Sequence, residues 1–218
     1  MSRHTHLELA RLSTRMAAQC KRVEIHLFTV FQAFLSEARE GGERLAQADE
    51  DIDQEEVLIE EECLKIIALH QPTGLDLRRL ATFLKANNDL ERIADHATNV
   101  ARSLIRLPPL SRLPQAASLL VRRVGEAYQQ ASRALTEHDL DAAKQVLCGD
   151  DVIDALEDAV NSKAREMAIA GDCSLDAAFE LAKCAHDIER VADLAKNIAE
   201  DIIYLDTGDI VRHNRKSY

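Results

Sequence analysis

The chain carries DLERIADHATNVA at residues 89–101 and repeats it, as DIERVADLAKNIA, at residues 187–199. Eight of the thirteen positions are identical, and three more exchange one aliphatic residue for another. Self-similarity at a fixed spacing is typical of a duplicated structural unit. We therefore expect two equivalent halves, each presenting the same unusual polar residues.

The composition is that of a helical protein. Apolar residues make up 46 % of the 218 positions, aromatic residues only 4 %, and the chain has seven glycines and four prolines. These glycines and prolines are too few for the many turns of an all-β fold. No run of about 18 apolar residues is present, so we expect no membrane-spanning helix.

Charge and cysteine usage disfavour several classes of protein. The net charge of −11 argues against nucleic-acid binding, which needs a clustered basic surface. The five cysteines form no Cys-x-x-Cys pair, so a zinc ribbon, a redox pair and a disulfide framework are all disfavoured. Scattered thiols in a reducing cytosol are the better interpretation.

Glycine and proline divide the chain into two sets of three helices. The apolar periodicity predicts helices over residues 4–39, 45–70, 76–106, 113–136, 150–170 and 175–204, with a separate short helical piece before Gly149. Ser174 is the expected N-cap of the sixth helix and Gly208 its C-cap. The predicted fold is all-α: two tandem pseudo-symmetric three-helix bundles at 1–107 and 112–208, followed by a polar tail at 209–218.

The repeated segment places side-chain oxygens four residues apart. On a helical wheel, Glu91, Asp95 and Asn99 lie opposite the apolar set that includes Ile93 and Leu104, so the row faces away from the core. Like charges at this spacing repel each other. Carboxylate and amide oxygens suit hard or borderline cations such as Mg²⁺, Ca²⁺, Mn²⁺ and iron, so a bound cation would relieve that repulsion.

A second acidic row opens the middle helix of each half. Antiparallel neighbouring helices would bring Asp49 and Asp53 towards Asp95, and Asp150 and Asp154 towards Asp193. The hypothesis is two surface metal sites, each able to hold more than one ion. The predicted ligands are Asp49, Asp53, Glu91, Asp95 and Asn99 in the first half, and Asp150, Asp154, Glu189, Asp193, Asn197 and Asp201 in the second.

Other interpretations of these residues stay open at this point. Acidic residues on a helix are usually solvated, and those at a helix start are favoured by the helix dipole, which weakens the argument for Asp49 and Asp150. His96 and His186 lie beside the rows in non-equivalent places, and we leave both outside the sites. No phosphate loop or nucleophile motif is present, so an enzyme is not expected, although a metal-dependent enzyme or a metal store remains the alternative.

Several motifs resemble the PhoU family of bacterial phosphate-uptake regulators. They are LERIADHATNVA at 90–101, its second copy closed by Asp201, Asp49-x-x-x-Asp53, Gln71-Pro72 followed by Asp76-Leu77-Arg78, and the closing Ile203-Tyr204-Leu205. The resemblance covers nearly the whole chain, including the joint at Pro108-Pro109.

The resemblance implies a function that the residues alone do not give. Members are negative regulators of the phosphate regulon and connect the phosphate ABC transporter ATPase with a sensor histidine kinase. They are cytoplasmic, reach the membrane only through those partners, and often form homodimers. Their acidic rows hold surface metal clusters, and iron, zinc, manganese or magnesium are the ions that we expect here. This chain has Ser103 where its second half has Asp201, so we expect the first site to bind more weakly or to hold fewer ions.

Overall fold

A computed structural model of the chain describes residues 3–36, 45, 49–108, 110 and 112–208. Within these residues the chain forms six helices and no strand, which confirms the predicted all-α bundle. The helices are α1 (Arg3–Leu35), α2 (Glu50–His70), α3 (Leu75–Arg106), α4 (Gln115–Glu137), α5 (Leu140–Ala170) and α6 (Leu175–Thr207).

The helix ends follow the predicted stop signals, with one exception. The Ser174 hydroxyl accepts a hydrogen bond from the Ala177 amide at 3.1 Å, and Gly208 ends α6 at φ 78°. The predicted break at Gly149 is wrong, because α5 runs unbroken through it. A mid-helix glycine costs only about 1 kcal/mol relative to alanine, which packing on both sides of Gly149 offsets. The predicted end of the first helix at Arg39 and the tail at 209–218 lie outside the described residues.

The two central helices, α3 and α6, lie against each other and join the halves. In the first half, α1 and α2 pack on α3, and in the second half α4 and α5 pack on α6. Among the described residues, α2 and α5 each contact only helices of their own half, so they lie on the flanks. Each flank therefore has a groove, α2 beside α3 and α5 beside α6, that is open to solvent.

One continuous apolar core runs through both halves. Besides the α3–α6 seam, α1 packs against α4, where Gly125 allows a close approach because an added Cβ would lie 3.1 Å from the Phe28 ring. The buried Tyr128 hydroxyl donates to the Cys20 carbonyl at 2.7 Å across the same contact. Among the described helices, none combines the length and the apolar character needed to cross a bilayer.

Candidate metal-binding faces

The first acidic face lies in the groove between α2 and α3 and consists of Asp49, Asp53, Glu56, Glu91, Asp95 and Asn99. Asp95 and Asp53 are exposed, and Glu91 and Asn99 are half-buried. By contrast, Ile93 and Leu104 on the same helix are fully buried. The predicted outward direction of the Glu91 row is therefore confirmed.

The carboxylates of the two helices lie close enough to perturb one another. Partial burial raises the pKa of Asp53, and the negative charges of Asp49 and Asp95 raise it further. Burial likewise raises the pKa of Glu91, with added contributions from Asp95 and Asp53. The predicted approach of the α2 row to the α3 row is thus present, and it concentrates negative charge in one groove.

Asp49 is the most buried carboxylate of the first acidic face. Its Oδ2 accepts a hydrogen bond from the Thr98 hydroxyl at 2.9 Å, and the Thr98 oxygen lies 3.1 Å from His26 Nε2. Burial lowers the pKa of His26, and Asp49 opposes that shift. This buried chain of hydrogen bonds orients the Asp49 side chain.

The second acidic face lies between α5 and α6 and consists of Asp150, Asp154, Glu157, Glu189, Asp193 and Asn197. Burial raises the pKa of Glu189 to about 7, with further contributions from Asp193 and Glu157, while Arg190 opposes them. Burial also raises the pKa of Asp154, and Asp150 and Asp193 add to it. The two halves therefore repeat the same crowding of carboxylates.

Two groups of three residues lie in this region. Within each group, one ligand atom from each residue lies within 4.8 Å of the others. One group is Glu157, His186 and Glu189, and the other is Asp150, Asp151 and Asp154. The His186 Nδ1 lies 3.3 Å from the Glu157 Oε1. Oxygen donors with one imidazole are a donor set that fits a divalent cation such as Mn²⁺, Fe²⁺ or Zn²⁺.

Sequence reasoning left three residues of this arrangement out of the predicted sites. Glu56 and Glu157 continue the α2 and α5 rows by one helical step, so their spacing alone places them on the same helix faces as the predicted ligands. The position equivalent to His186 in the first half is Asn88, so the repeat gives no signal for this histidine. Its proximity to Glu157 depends on how α5 packs against α6, which spacing alone does not give.

Asp201 does not lie on the second acidic face, so its predicted outward direction is wrong. Its side chain is 3 % exposed, and its Oδ1 lies 3.0 Å from the Lys85 ammonium of α3. Its counterpart Ser103 is also buried, and accepts from Arg106 at 3.2 Å. The exchange of serine for aspartate therefore belongs to the seam between the halves, and the expectation of a weaker first site loses its basis.

The family follows from comparison with known proteins. A sequence model described as the PhoU domain matches residues 14–104 and 118–202 of this chain. These two matches together span well over half of it. The chain belongs to the PhoU domain family. The resemblance seen in the sequence is thereby confirmed.

Individual PhoU proteins are similar to the chain over most of its length. The phosphate-specific transport system accessory protein PhoU homolog 1 of Thermotoga maritima is 34 % identical over 168 residues, covering 76 % of this chain and 72 % of that protein. The PhoU homolog of Deinococcus radiodurans is 32 % identical over 163 residues, covering 73 % and 76 %. The crystal structure of PhoU from Pseudomonas aeruginosa matches with a TM-score of 0.88 at 28 % identity, covering 94 % of this chain and 99 % of that one.

Proposed function

We propose that this chain is an accessory protein of a phosphate ABC transport system, which represses phosphate uptake and the phosphate-starvation genes when phosphate is sufficient. The observation that carries the proposal is the match of two PhoU domains to residues 14–104 and 118–202. The names of the relatives support it, because they are called phosphate-specific transport system accessory proteins. Those names describe an accessory role, so we treat the chain as a regulator and not as an enzyme.

In this proposal the chain acts as a cytoplasmic adaptor. The transporter ATPase and a sensor histidine kinase are the proposed partners, and a homodimer is the proposed assembly. The chain would reach the membrane only through these partners. The six-helix bundle supports such a role, since its long rigid helices offer extended surfaces for two partners at once.

Cation binding is the second part of the proposal. The residues that would hold ions are Asp49, Asp53, Glu91, Asp95 and Asn99 in the first half, and Asp150, Asp154, Glu189, Asp193 and Asn197 in the second. A bound divalent cation would supply positive charge where the carboxylates repel one another. The raised pKa of Glu189, to about 7, supports this role, because a cation would replace the retained proton.

A reporter strain tests the regulatory part. Deletion of the gene is expected to switch on a phosphate-starvation promoter in high phosphate, and the intact gene supplied in trans is expected to restore repression. A promoter that stays silent in the deletion strain would contradict the regulatory role. The double variant Asp95→Ala, Asp193→Ala, supplied in trans, separates the regulatory role from cation binding. If this variant binds no metal but still represses fully, the metal has only a structural role.

A further inference from the structure

The two acidic faces differ at one pair of equivalent positions. Thr98 and Lys196 occupy the same place in the repeated segment. In the first half, the Thr98 hydroxyl donates to Asp49 at 2.9 Å. In the second half, the Lys196 ammonium instead forms an ion pair with Asp150, the counterpart of Asp49.

Lys196 is held in this position. Its side chain is only 28 % exposed and that of Asp150 only 16 %. The second acidic face therefore contains an ammonium group that is packed against one of its own carboxylates.

A second cation, Arg190, also lies on this face. In the first half the Arg92 guanidinium lies 3.7 Å from Asp89, and its charge opposes the rise in the pKa of Glu91. Asp187, the counterpart of Asp89, instead contacts His96 of the other half at 2.9 Å. Arg190, the counterpart of Arg92, forms its ion pair with Asp193 of the second acidic face.

The first acidic face has no such ion pair within the described part of the chain. No lysine or arginine there forms an ion pair with Asp49, Asp53, Glu91 or Asp95. Arg102 donates to the neutral Asn99 amide oxygen at 3.2 Å, so it occupies no carboxylate of the face. Each face has the same carboxylate positions, yet among the described residues only the second has carboxylates held in ion pairs by lysine or arginine.

We propose that Lys196 is a built-in counter-cation of the second acidic face and makes the first acidic face the stronger cation-binding site of the chain. A divalent ion that binds at Asp150 has to displace the ammonium, whereas an ion at Asp49 displaces no charged group. The proposal rests on the proposed cation binding by the two faces. It reverses the order of the two sites expected from Ser103.

Titration with Mn²⁺ as the only added metal tests the proposal in the full chain. Asp53→Asn with Asp95→Asn removes charge from the first acidic face and leaves the second to be measured alone. In that background, Lys196→Thr installs the residue of the first half, and Lys196→Met removes the charge while keeping most of the apolar stem. Lys144→Met is the matched control, because it removes one positive charge from an exposed position on α5 outside the face.

Both Lys196 variants are expected to bind Mn²⁺ about tenfold more tightly than the background protein, which corresponds to about 1.4 kcal/mol. Lys144→Met is expected to leave the affinity unchanged. Equal affinities for all four proteins would overturn the role of Lys196 while leaving cation binding intact. If Asp53→Asn with Asp95→Asn and Asp154→Asn with Asp193→Asn both bind Mn²⁺ as the unmodified chain does, the proposed cation binding fails, and this inference fails with it.

Chemical labelling of lysines gives a second readout that needs no variant. Reductive methylation measured by mass spectrometry reports how available each amine is. Saturating Mn²⁺ is expected to increase the labelling rate of Lys196 severalfold and to leave that of Lys144 unchanged. A Lys196 rate that does not change when both faces are filled would overturn the proposed displacement.

Discussion

Lys85 and Asp201 join the two halves of the chain, with 3.0 Å between Nζ and Oδ1. The Lys85 ammonium also lies 5.3 Å from the centre of the Tyr204 ring, so α6 contacts it through two side chains one turn apart. Lys85 keeps 46 % of its side chain exposed, whereas Asp201 is buried. The pair therefore acts as a link across the α3–α6 seam, and Asp201 is unavailable to a cation on the flank.

Replacing Asp201 by alanine separates a structural role from metal binding. Loss of a buried charged acceptor is expected to lower the free energy of unfolding by about 1–3 kcal/mol. Urea denaturation measures this change, and the metal content of the folded variant should equal that of the unmodified chain. Asp206→Ala, at an exposed position on the same helix, is the control and should change neither quantity. If a stably folded Asp201 variant lost metal, Asp201 would be a metal ligand after all.

The raised pKa of Glu189 predicts a dependence of stability on pH in metal-free protein. Glu189 retains its proton up to a pKa of about 7 in the folded state, against 4.5 ordinarily. Protonation therefore contributes stability that is fully present below pH 4.5 and is lost as the pH rises to about 7. Thermal unfolding in the presence of a chelator is expected to show a midpoint that falls across this range.

The variant Glu189→Gln is expected to flatten that decline, because its side chain does not ionise. Glu166→Gln, on an exposed part of α5, is the matched control and should keep the full pH dependence. An unchanged decline in Glu189→Gln would mean that other carboxylates of the faces cause it. Added Mn²⁺ is expected to raise the midpoint most at the high end of the range, where proton competition is weakest.

His186 predicts a difference in metal preference. Imidazole favours zinc more than it favours magnesium, so His186→Asn, which installs the residue type of Asn88, should weaken zinc binding by the second acidic face about tenfold or more. Magnesium binding should change little. Calorimetric titration in the Asp53→Asn, Asp95→Asn background measures both. His138→Asn is the control, since that exposed residue ends α4 at φ 56°, a conformation that asparagine tolerates.

The hydrogen bond from Tyr128 to Cys20 predicts a modest contribution to stability. Tyr128→Phe removes the donor and leaves the apolar packing, so we expect the free energy of unfolding to fall by about 1 kcal/mol. Tyr204→Phe is a suitable control, because the Tyr204 ring is partly exposed and contacts Lys85 through its face. Equal stabilities of the two variants would show that the hydrogen bond makes no net contribution.

The four-residue spacing predicts the direction of a side chain correctly over two helical steps but not over three. Each step of four residues turns a helical row by about 40°, because the helix has 3.6 residues per turn. Asp193 and Asn197 stay on the flank with Glu189, but Asp201 has turned by about 120° and enters the seam. The helical wheel used for the Glu91 row predicts this rotation of Asp201 towards the core. The four-residue spacing, taken alone, does not.

Other features depended on contacts between helices and could not be read from spacing. The sequence shows that Lys196 replaces Thr98 in the second copy of the repeat. That Lys196 pairs with Asp150 depends on how α5 lies beside α6. The contact of Asp187 with His96 likewise depends on how the two halves pack together. The continuity of α5 through Gly149 reflects tertiary packing, which overrides a weak local signal.

Elemental analysis of the purified chain tests the central claim, that the two outward acidic faces bind metal. The comparison is between the unmodified chain and Asp95→Ala with Asp193→Ala, each loaded with Mn²⁺ and freed of excess ion. Asp141→Ala with Asp206→Ala removes two exposed carboxylates elsewhere and serves as the control. We expect the face variant to lose more than half of its metal while the control retains all of it. The same metal content in all three proteins would contradict the claim.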